Sequence, residues 1–274
     1  MKFDDLDKEM RIYETVNDDC VLPGLWVVVR LDGRGFTGLT RDPGMNFEAP
    51  FDKRFSEYMS VVAGGIMNDM GFRFIYGYHQ SDEISLLLAL DDQTFKRKTR
   101  KINSILASYA GAVFTHLLPI NYNNSVPKRV AVFDSRVIQL PNVEMVARYF
   151  QWRQLDATRN ALNSWCYWML RKGGLSANAA TNALLNKTVS EKNEILFSRG
   201  VNFNDVPSWQ KRGTGLFWEK VLREGYNPIK KEKVNAIRKS LEVEDELPYG
   251  DTYDTMITEI IGGTFQKEIK PEES

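Results

Sequence analysis

Hydrophobic positions change their period several times along the first half of the chain, and each change marks an element. Trp26–Leu31 (WVVVRL) is a β-branched apolar run of the kind that forms a buried strand. From Gly35 to Pro50, Gly38, Pro43, Gly44 and Pro50 break any period, which predicts a loop rather than a helix. Phe55, Met59, Val62, Ile66 and Met70 then recur at three- and four-residue steps, predicting a helix over about Asp52–Met70 that Gly71 stops. Phe72–Tyr78 and Ile84–Leu90 read as strands joined by a turn at His79–Glu83. The second, ISLLLAL, is apolar on both faces and therefore central. Another helix is predicted over about Gln93–Leu118, with Ile102, Ile105, Tyr109, Val113 and Leu117 on one face, and a strand over Arg129–Gln139.

The order strand, helix, strand, strand, helix, strand is the βαββαβ pattern of a ferredoxin-like sheet. The expected fold class is α+β, with this sheet and helices on one face across 1–140. Residues 141–274 are expected to form a mostly helical half with a β-hairpin. There a long helix spans Val143–Lys172, capped by Gly173 and Gly174, and a shorter one starts at Ser176. Gly213–Leu247 reads as a hairpin turning at Gly225–Pro228, and Pro271–Ser274 as a frayed tail. No repeat or linker separates the halves, so the boundary near Pro141 is soft.

Composition narrows the class without naming a chemistry. The 274 residues carry 36 basic and 36 acidic side chains, so any polyanion site has to come from local clustering rather than bulk charge. The cysteines, Cys20 and Cys166, lie far apart and only two histidines accompany them, which excludes zinc-site spacing. With no basic-then-apolar leader and no apolar run long enough for a bilayer, a soluble cytoplasmic protein is the expectation.

The candidate chemistry is acidic. In a βαββαβ sheet, the end of the first strand and the hairpin between the second and third strands lie side by side. Leu31-Asp32-Gly33 ends the first strand, and Ser81-Asp82-Glu83 sits in the hairpin. Asp32, Asp82 and Glu83 are thus projected onto one sheet edge, where like charges are costly unless something positive sits between them. Oxygen ligands of this kind suit Mg²⁺ shared with substrate phosphates, and a pair of such ions can drive an in-line phosphoryl displacement. The competing reading gives both aspartates only turn-forming roles.

Gly33, Gly35 and Gly38 spell G-x-G-x-x-G after the first strand, the fingerprint of a dinucleotide-binding turn. The loop chemistry that follows leaves no room for the required helix, so that reading is set aside. The glycines instead permit close approach of backbone N–H groups to phosphate oxygens. Arg34 is either a phosphate fork or a solvated arginine, and Phe36 either underlies a base or joins the core. Lys96–Lys101 (KRKTRK) opens the predicted second helix, where cations oppose the macrodipole but suit phosphate. In Tyr149–Trp168, Phe150, Arg153, Asp156 and Asn160 share a helical face, and a helix presenting Trp152, Arg153, Gln154, Arg159 and Asn160 could bind RNA or pack in an oligomer. His79 is either a base beside the carboxylates or an exposed turn histidine. His116 and both cysteines are expected in or near the core.

Taken together, RLDGRGF, YGYHQSDEISLL, FDSRV, WRQLD and EKNEILFSRGVNFNDVP resemble the tRNA(His) guanylyltransferase superfamily, over about Leu25–Trp218. The resemblance implies a polymerase-like palm, two Mg²⁺ ions and a homotetramer acting on tRNA with ATP and GTP or other nucleoside triphosphates. By matching position it makes Asp32, the Gly33 carbonyl and Asp82 metal ligands, with Glu83 supporting the catalytic pair Asp32 and Asp82. The triphosphate is placed against Asp32, Gly33, Arg34, Gly35, Phe36, Thr37, Ser81 and Asp82, with Arg97 and Lys101 nearby. Arg153, Asn160, Lys192, Asn193 and Asn202 fall in motifs assigned to RNA binding.

Two departures shape the expectation. Where eukaryotic members read HINNLYNT, this chain has TRNALNSW (Thr158–Trp165), and Ala49 replaces the family's lysine before Pro50. The first resembles the bacterial and archaeal-type "like proteins", which repair 5′-truncated tRNAs. The expected function is therefore template-dependent 3′-5′ nucleotide addition to tRNA 5′ ends. The alternatives are guanylate addition to tRNA(His) alone, a palm-type nucleotide cyclase, or a non-catalytic tRNA-binding protein. Arg41 and Lys53 are the candidate substitutes for the missing lysine.

Overall fold

The computed structural model describes residues 2–42, 45–118, 129–227 and 232–265. Six strands, β1 (Trp26–Gly33), β2 (Phe74–Gln80), β3 (Glu83–Leu88), β4 (Phe133–Leu140), β5 (Thr214–Asn227) and β6 (Glu232–Glu244), form one sheet. Their order is β4-β1-β3-β2-β5-β6 and each neighbouring pair is antiparallel. The first four make the expected ferredoxin-like unit. The C-terminal hairpin extends the same sheet at the β2 edge, a junction the sequence pattern did not foretell.

Alternation along the strands feeds two cores. Val27, Val29 and Leu31 of β1 face α3 (Lys53–Asp69) and α4 (Thr99–Leu117), meeting Met59, Val62, Ile66, Leu106 and Phe114. Val28, with Tyr76, Tyr78 and Leu87, faces the other way. It packs under Val146 and Phe150 of α5 (Val143–Lys172) and Tyr253 and Ile257 of α9 (Asp251–Gly262). Burial on both faces explains why β3 reads as an unbroken apolar run. A smaller cluster joins Leu162 and Cys166 of α5 to Leu196 of α7 (Val189–Phe197).

Local chemistry sets the element ends. Asp52 caps α3 by accepting from the Arg54 and Phe55 N–H groups, and Asn142 caps α5 by accepting from Met145. Thr188 and Glu191 form a capping box on α7. Gly213, with φ of 78°, turns the chain into β5; a Cβ there would sit 2.6 Å from the His79 carbonyl oxygen. That close approach docks the hairpin beside β2.

Several boundaries move from the expected ones. A five-residue helix, α2 (Phe36–Thr40), follows Gly35 inside the stretch expected to be loop throughout. β1 is nonetheless antiparallel to both neighbours, so the dinucleotide-binding topology is absent from it. The turn between β2 and β3 is only Ser81-Asp82, which places His79, Gln80 and Glu83 in strands. Residues 94–97 form a tight turn in which Phe95, Lys96 and Arg97 have φ between 52° and 57°, and α4 starts only at Thr99. β4 begins at Phe133, not Arg129. Gly225, expected in the hairpin turn, lies within β5 opposite Val234, and Pro228 falls outside the described residues. So do Pro43, Gly44 and Pro271–Ser274. α6 (Ala177–Leu184) is the short helix expected from Ser176; besides α2, four described helices have no counterpart in the periodicity: α1 (Phe3–Thr15), α7, α8 (Ser208–Arg212) and α9.

Candidate active site

β1 ends with Asp32 directly opposite Glu83 of β3, while the Gly33 N–H donates to the Asp82 carbonyl at 3.0 Å. The sheet register alone therefore brings the three carboxylates together. Gly33 is required sterically: a Cβ there would lie 2.5 Å from the Phe36 ring and 2.8 Å from the Asp82 Cβ. Ser81 adopts φ of 52° to make the two-residue turn, and its hydroxyl donates to Asp82 Oδ1 at 3.2 Å.

The three acids differ in their partners. Glu83 is held between two guanidiniums, Arg30 from β1 and Arg153 from α5. Arg30 also stands 3.5 Å from Asp32, and Arg153 3.1 Å from Asp156. Asp82 has no cation partner among the described residues. Burial first, then the charges of Asp32 and Glu83, pushes its carboxyl up to about 6. Glu83 is thus held by two guanidiniums and Asp32 shares one of them, whereas Asp82 stands beside none.

Among the described residues, no group of three or more His, Cys, Asp or Glu side chains could form a closed metal cage. Two carboxylates beside a glycine backbone instead fit Mg²⁺, which takes one or two protein carboxylates and completes its shell with water and substrate phosphates. Asp32, Asp82 and the Gly33 carbonyl are the residues that would hold it.

A cavity of about 740 Å³ opens beside Asp82. Phe36, Thr37, Thr40 and Arg41 from the α2 region, Phe47 and Phe51, Ser81 and Asp82, and Trp168 and Trp209 line it. The Phe51 and Trp209 rings meet edge-on at 6.3 Å. Aromatic walls with a few convergent polar groups are what a nucleotide base and its phosphates require. A smaller recess of about 150 Å³ shares Phe51, Gln80, Ser81 and Asp82 and is closed by α5 through Arg153, Asp156 and Asn160.

The fold brings together Asp32, Gly33, Ser81, Asp82 and Glu83, with Phe36 and Thr37 on the cavity wall. Arg34 is exposed and its N–H bonds the Val132 carbonyl at 2.8 Å; Gly35, with φ of 74°, caps α2. Phe36 belongs to the core, being 3% exposed and packed edge-on against Phe55, Phe114 and Phe133. Arg97 and Lys101 are separated from the carboxylates. β3 carries the chain from Glu83 away to Leu88, so the next helix starts at the opposite end of the sheet. There Arg97 is buried and donates to the Leu25 and Leu90 carbonyls. From Leu25 to Asp32 is about 23 Å of strand.

Arg153 was expected at an RNA surface, but its side chain is 7% exposed and committed to Glu83 and Asp156. Asn160 stays near it, donating to Asp156 at 3.4 Å. Lys192 and Asn193 ride on α7, where the Lys192 carbonyl accepts from the Cys166 thiol of α5 at 3.3 Å, and Asn202 caps the turn Phe203–Asp205. His79 is neither an exposed turn residue nor beside the carboxylates' open face. It is 2% exposed, hydrogen-bonded to Ser60 at 2.8 Å, and held down to about 4 by burial. Cys166 is buried as expected, whereas Cys20 and His116 are exposed. Of the candidate substitutes for the lysine missing at Ala49, Arg41 lines the large cavity; Lys53 pairs with Asp245. Trp168, Trp209, Phe47 and Phe51 were not foreseen as cavity walls, because their spacing carries no motif.

An antiparallel βαββαβ sheet gathering carboxylates at its central strand ends, beside an aromatic-walled cavity, defines a palm-type protein. Comparison with known proteins specifies it further. A family model described as tRNAHis guanylyltransferase matches residues 7–141, and one described as the Thg1 C terminal domain matches 144–259. The tRNA(His) guanylyltransferase of Neurospora crassa is 33% identical over 227 residues, spanning 81% of this chain and 76% of its own. That of Debaryomyces hansenii is 30% identical over 258 residues, 92% of each chain. The structure of the Saccharomyces cerevisiae tRNA(His) guanylyltransferase superposes with a TM-score of 0.69 at 26% identity, covering 86% of this chain and 96% of that one. A bacterial Thg1-like protein in complex with ATP gives 0.70 at 26% identity, covering 93% and 99%. The chain belongs to the tRNAHis guanylyltransferase family, whose members are nucleotidyltransferases. None of its described helices is long and apolar enough to cross a membrane.

Proposed function

We propose that the protein is a template-dependent 3′-5′ nucleotidyltransferase that adds nucleotides to the 5′ ends of tRNAs. The observation that carries this reading is the placement of Asp82 on the wall of a nucleotide-sized cavity, with Asp32 brought beside it at the end of β1 by the β1–β3 register. In the first step, a 5′-monophosphate oxygen attacks the α-phosphorus of a nucleoside triphosphate held in that cavity, releasing pyrophosphate. In the second, the 3′-hydroxyl of an incoming triphosphate attacks the activated 5′ phosphorus, and nucleoside monophosphate leaves. Mg²⁺, as a pair of ions when bound, supplies charge neutralisation for the attacking and leaving oxygens. Asp32 and Asp82 hold that charge in place, Glu83 locks β3 to α5 through Arg153, and the aromatic walls orient the base. Thr37, Thr40 and Arg41 of the α2 region line the same space and can hydrogen-bond phosphate.

The same reading assigns residues 1–140 to catalysis and 141–274 to RNA contact, with the exposed faces of α5 and α7 as the RNA side. Self-association as a homotetramer belongs to it as well, supported by the exposed Phe3, Met10 and Tyr13 of α1. Light scattering checks the assembly. TRNALNSW in place of the eukaryotic motif favours repair of several tRNAs over addition to tRNA(His) alone. The deciding experiment supplies 5′-labelled, 5′-truncated tRNAs of several types with Mg²⁺ and all four triphosphates. Growth that restores paired acceptor stems in different tRNAs is expected. A single unpaired G on tRNA(His) alone would refute the repair reading.

A further inference from the structure

Trp168 and Trp209 wall the large cavity from the C-terminal half, and they are held differently. Trp168 rides near the end of α5, a 30-residue helix, whereas Trp209 sits on α8, which is five residues long. A helix that short has no stability of its own, so its neighbours fix its place. The Gln80 amide donates to the Gln210 carbonyl at 2.7 Å, the Thr158 hydroxyl to the Lys211 carbonyl at 2.9 Å, and Arg212 to the Leu247 carbonyl at 3.1 Å. These bonds anchor the segment but leave the Trp209 ring undetermined. The Trp165 and Trp218 indole N–H groups donate to Gln210 Oε1 and the Phe74 carbonyl, but that of Trp209 makes no hydrogen bond among the described residues. Its orientation therefore rests on ring contacts.

Phe51 and Lys53 meet that ring. Phe51 lies edge-on at 6.3 Å, and the Lys53 ammonium stands 5.2 Å from the ring centroid, within cation–π range. Lys53 is the first residue of α3, directly after the Asp52 cap, so its backbone is fixed and only its side chain can swing. Asp245 holds that side chain in an ion pair. Asp245 also accepts from the Thr214 hydroxyl at 2.7 Å; Thr214, fully buried, opens β5, and Asp245 follows the last residue of β6. The contacts thus run from the base of the β5–β6 hairpin, through Lys53, to the cavity wall. Neither Lys53 nor Asp245 lines the cavity itself. A part-exposed ion pair adds little to stability, so what this one controls is where the ammonium, and with it the indole, comes to rest.

We propose that Lys53 and Asp245 are positioning residues: Asp245 sets the Lys53 ammonium on Trp209, and the ammonium fixes the indole as a wall of the cavity. The docked base of the hairpin thereby governs nucleotide affinity from outside the cavity. The inference rests on the reading of the cavity as a nucleotide site and adds to it a control by residues that do not line it.

The test uses the full chain with Mg²⁺ and measures equilibrium binding of GTP and ATP, beside incorporation into a 5′-truncated tRNA at saturating nucleotide. Asp245→Asn separates positioning from plain charge. Removing a carboxylate makes the region more positive, which by itself would tighten a triphosphate, whereas loss of position weakens it. Asp245→Asn and Lys53→Met should each raise Kd about two- to fivefold, with incorporation at saturation within about twofold of the wild type. Lys53→Arg, which keeps a cation over the ring, should bind like the wild type. In a Trp209→Leu background neither substitution should weaken binding further. Thermal melts check that each variant folds; if Asp245→Asn does not, the cycle of Lys53→Met with Trp209→Leu decides alone. Unchanged or tighter binding in a folded Asp245→Asn, unchanged binding in Lys53→Met, no rescue by Lys53→Arg, or an equal loss in Lys53→Met with and without Trp209 would overturn the positioning role. Failure of the wild type to bind GTP or ATP would overturn the nucleotide reading of the cavity instead.

Discussion

Burial and two neighbouring carboxylates raise Asp82 to about 6, so the folded protein binds a proton there more tightly than the unfolded chain does. The stability this contributes is present below the usual carboxylate range and is lost as pH rises through about 6. Asp82→Asn should therefore stabilise the metal-free protein at pH 7.5, by up to about 3 kcal/mol, and hardly at all at pH 4. The same substitution should reduce nucleotide incorporation roughly hundredfold or more. Thermal melts at the two pH values, set beside incorporation assays, check both halves. A loss of stability at pH 7.5 would remove the electrostatic account. Gly33 makes a sharper steric case. Gly33→Ala forces a methyl group into the Phe36 ring and the Asp82 Cβ, and should cost about 1–3 kcal/mol together with activity. Urea titration measures it, and a fully stable, fully active Gly33→Ala would contradict the packing described.

Among the elements, the β5–β6 hairpin depends most on one position. Gly213 combines a left-handed φ with its close approach to the His79 carbonyl, so Gly213→Ala should weaken the β2–β5 pairing by about 2 kcal/mol or more. Hydrogen exchange should then speed up at the amides of Tyr76, Tyr78 and Gly215 before those of β1 and β3. Uniform acceleration across the sheet would show that the hairpin is not a separate docking unit. α4 shows why element boundaries misled. The KRKTRK run predicts the first turn of a helix, yet Phe95, Lys96 and Arg97 lie in left-handed conformations and Arg97 ties the turn to Leu25 and Leu90. Tertiary hydrogen bonds outweighed the local preference, and no pattern of hydrophobicity encodes them.

For the whole molecule, two buried groups oppose each other as pH changes. His79 is held at about 4 against its usual value near 6.5, so its contribution is present above 6.5 and lost as pH falls through about 4. Asp82 gains over nearly the same window on acidification. The metal-free wild type should thus show nearly flat stability between pH 7 and pH 5. Asp82→Asn should expose the histidine's loss, about 2 kcal/mol between pH 7 and pH 5, as a fall in melting temperature over that range. A flat profile in both proteins would mean that His79 titrates in the folded state as it does in the unfolded chain.

The sequence by itself determined the βαββαβ order, the span of α5 and the carboxylate pair Asp32 and Asp82. Periodicity and the position of acids at strand ends are local facts, and antiparallel register turns them into contacts. Only the tertiary structure decided that Glu83 and Arg153 lock to each other, that the basic run lies at the far end of the sheet, and that aromatic residues from three distant segments wall the cavity. Those outcomes depend on which strand ends face each other and which helix covers which face. They are set by packing between segments remote in sequence, a quantity that no single window of residues contains.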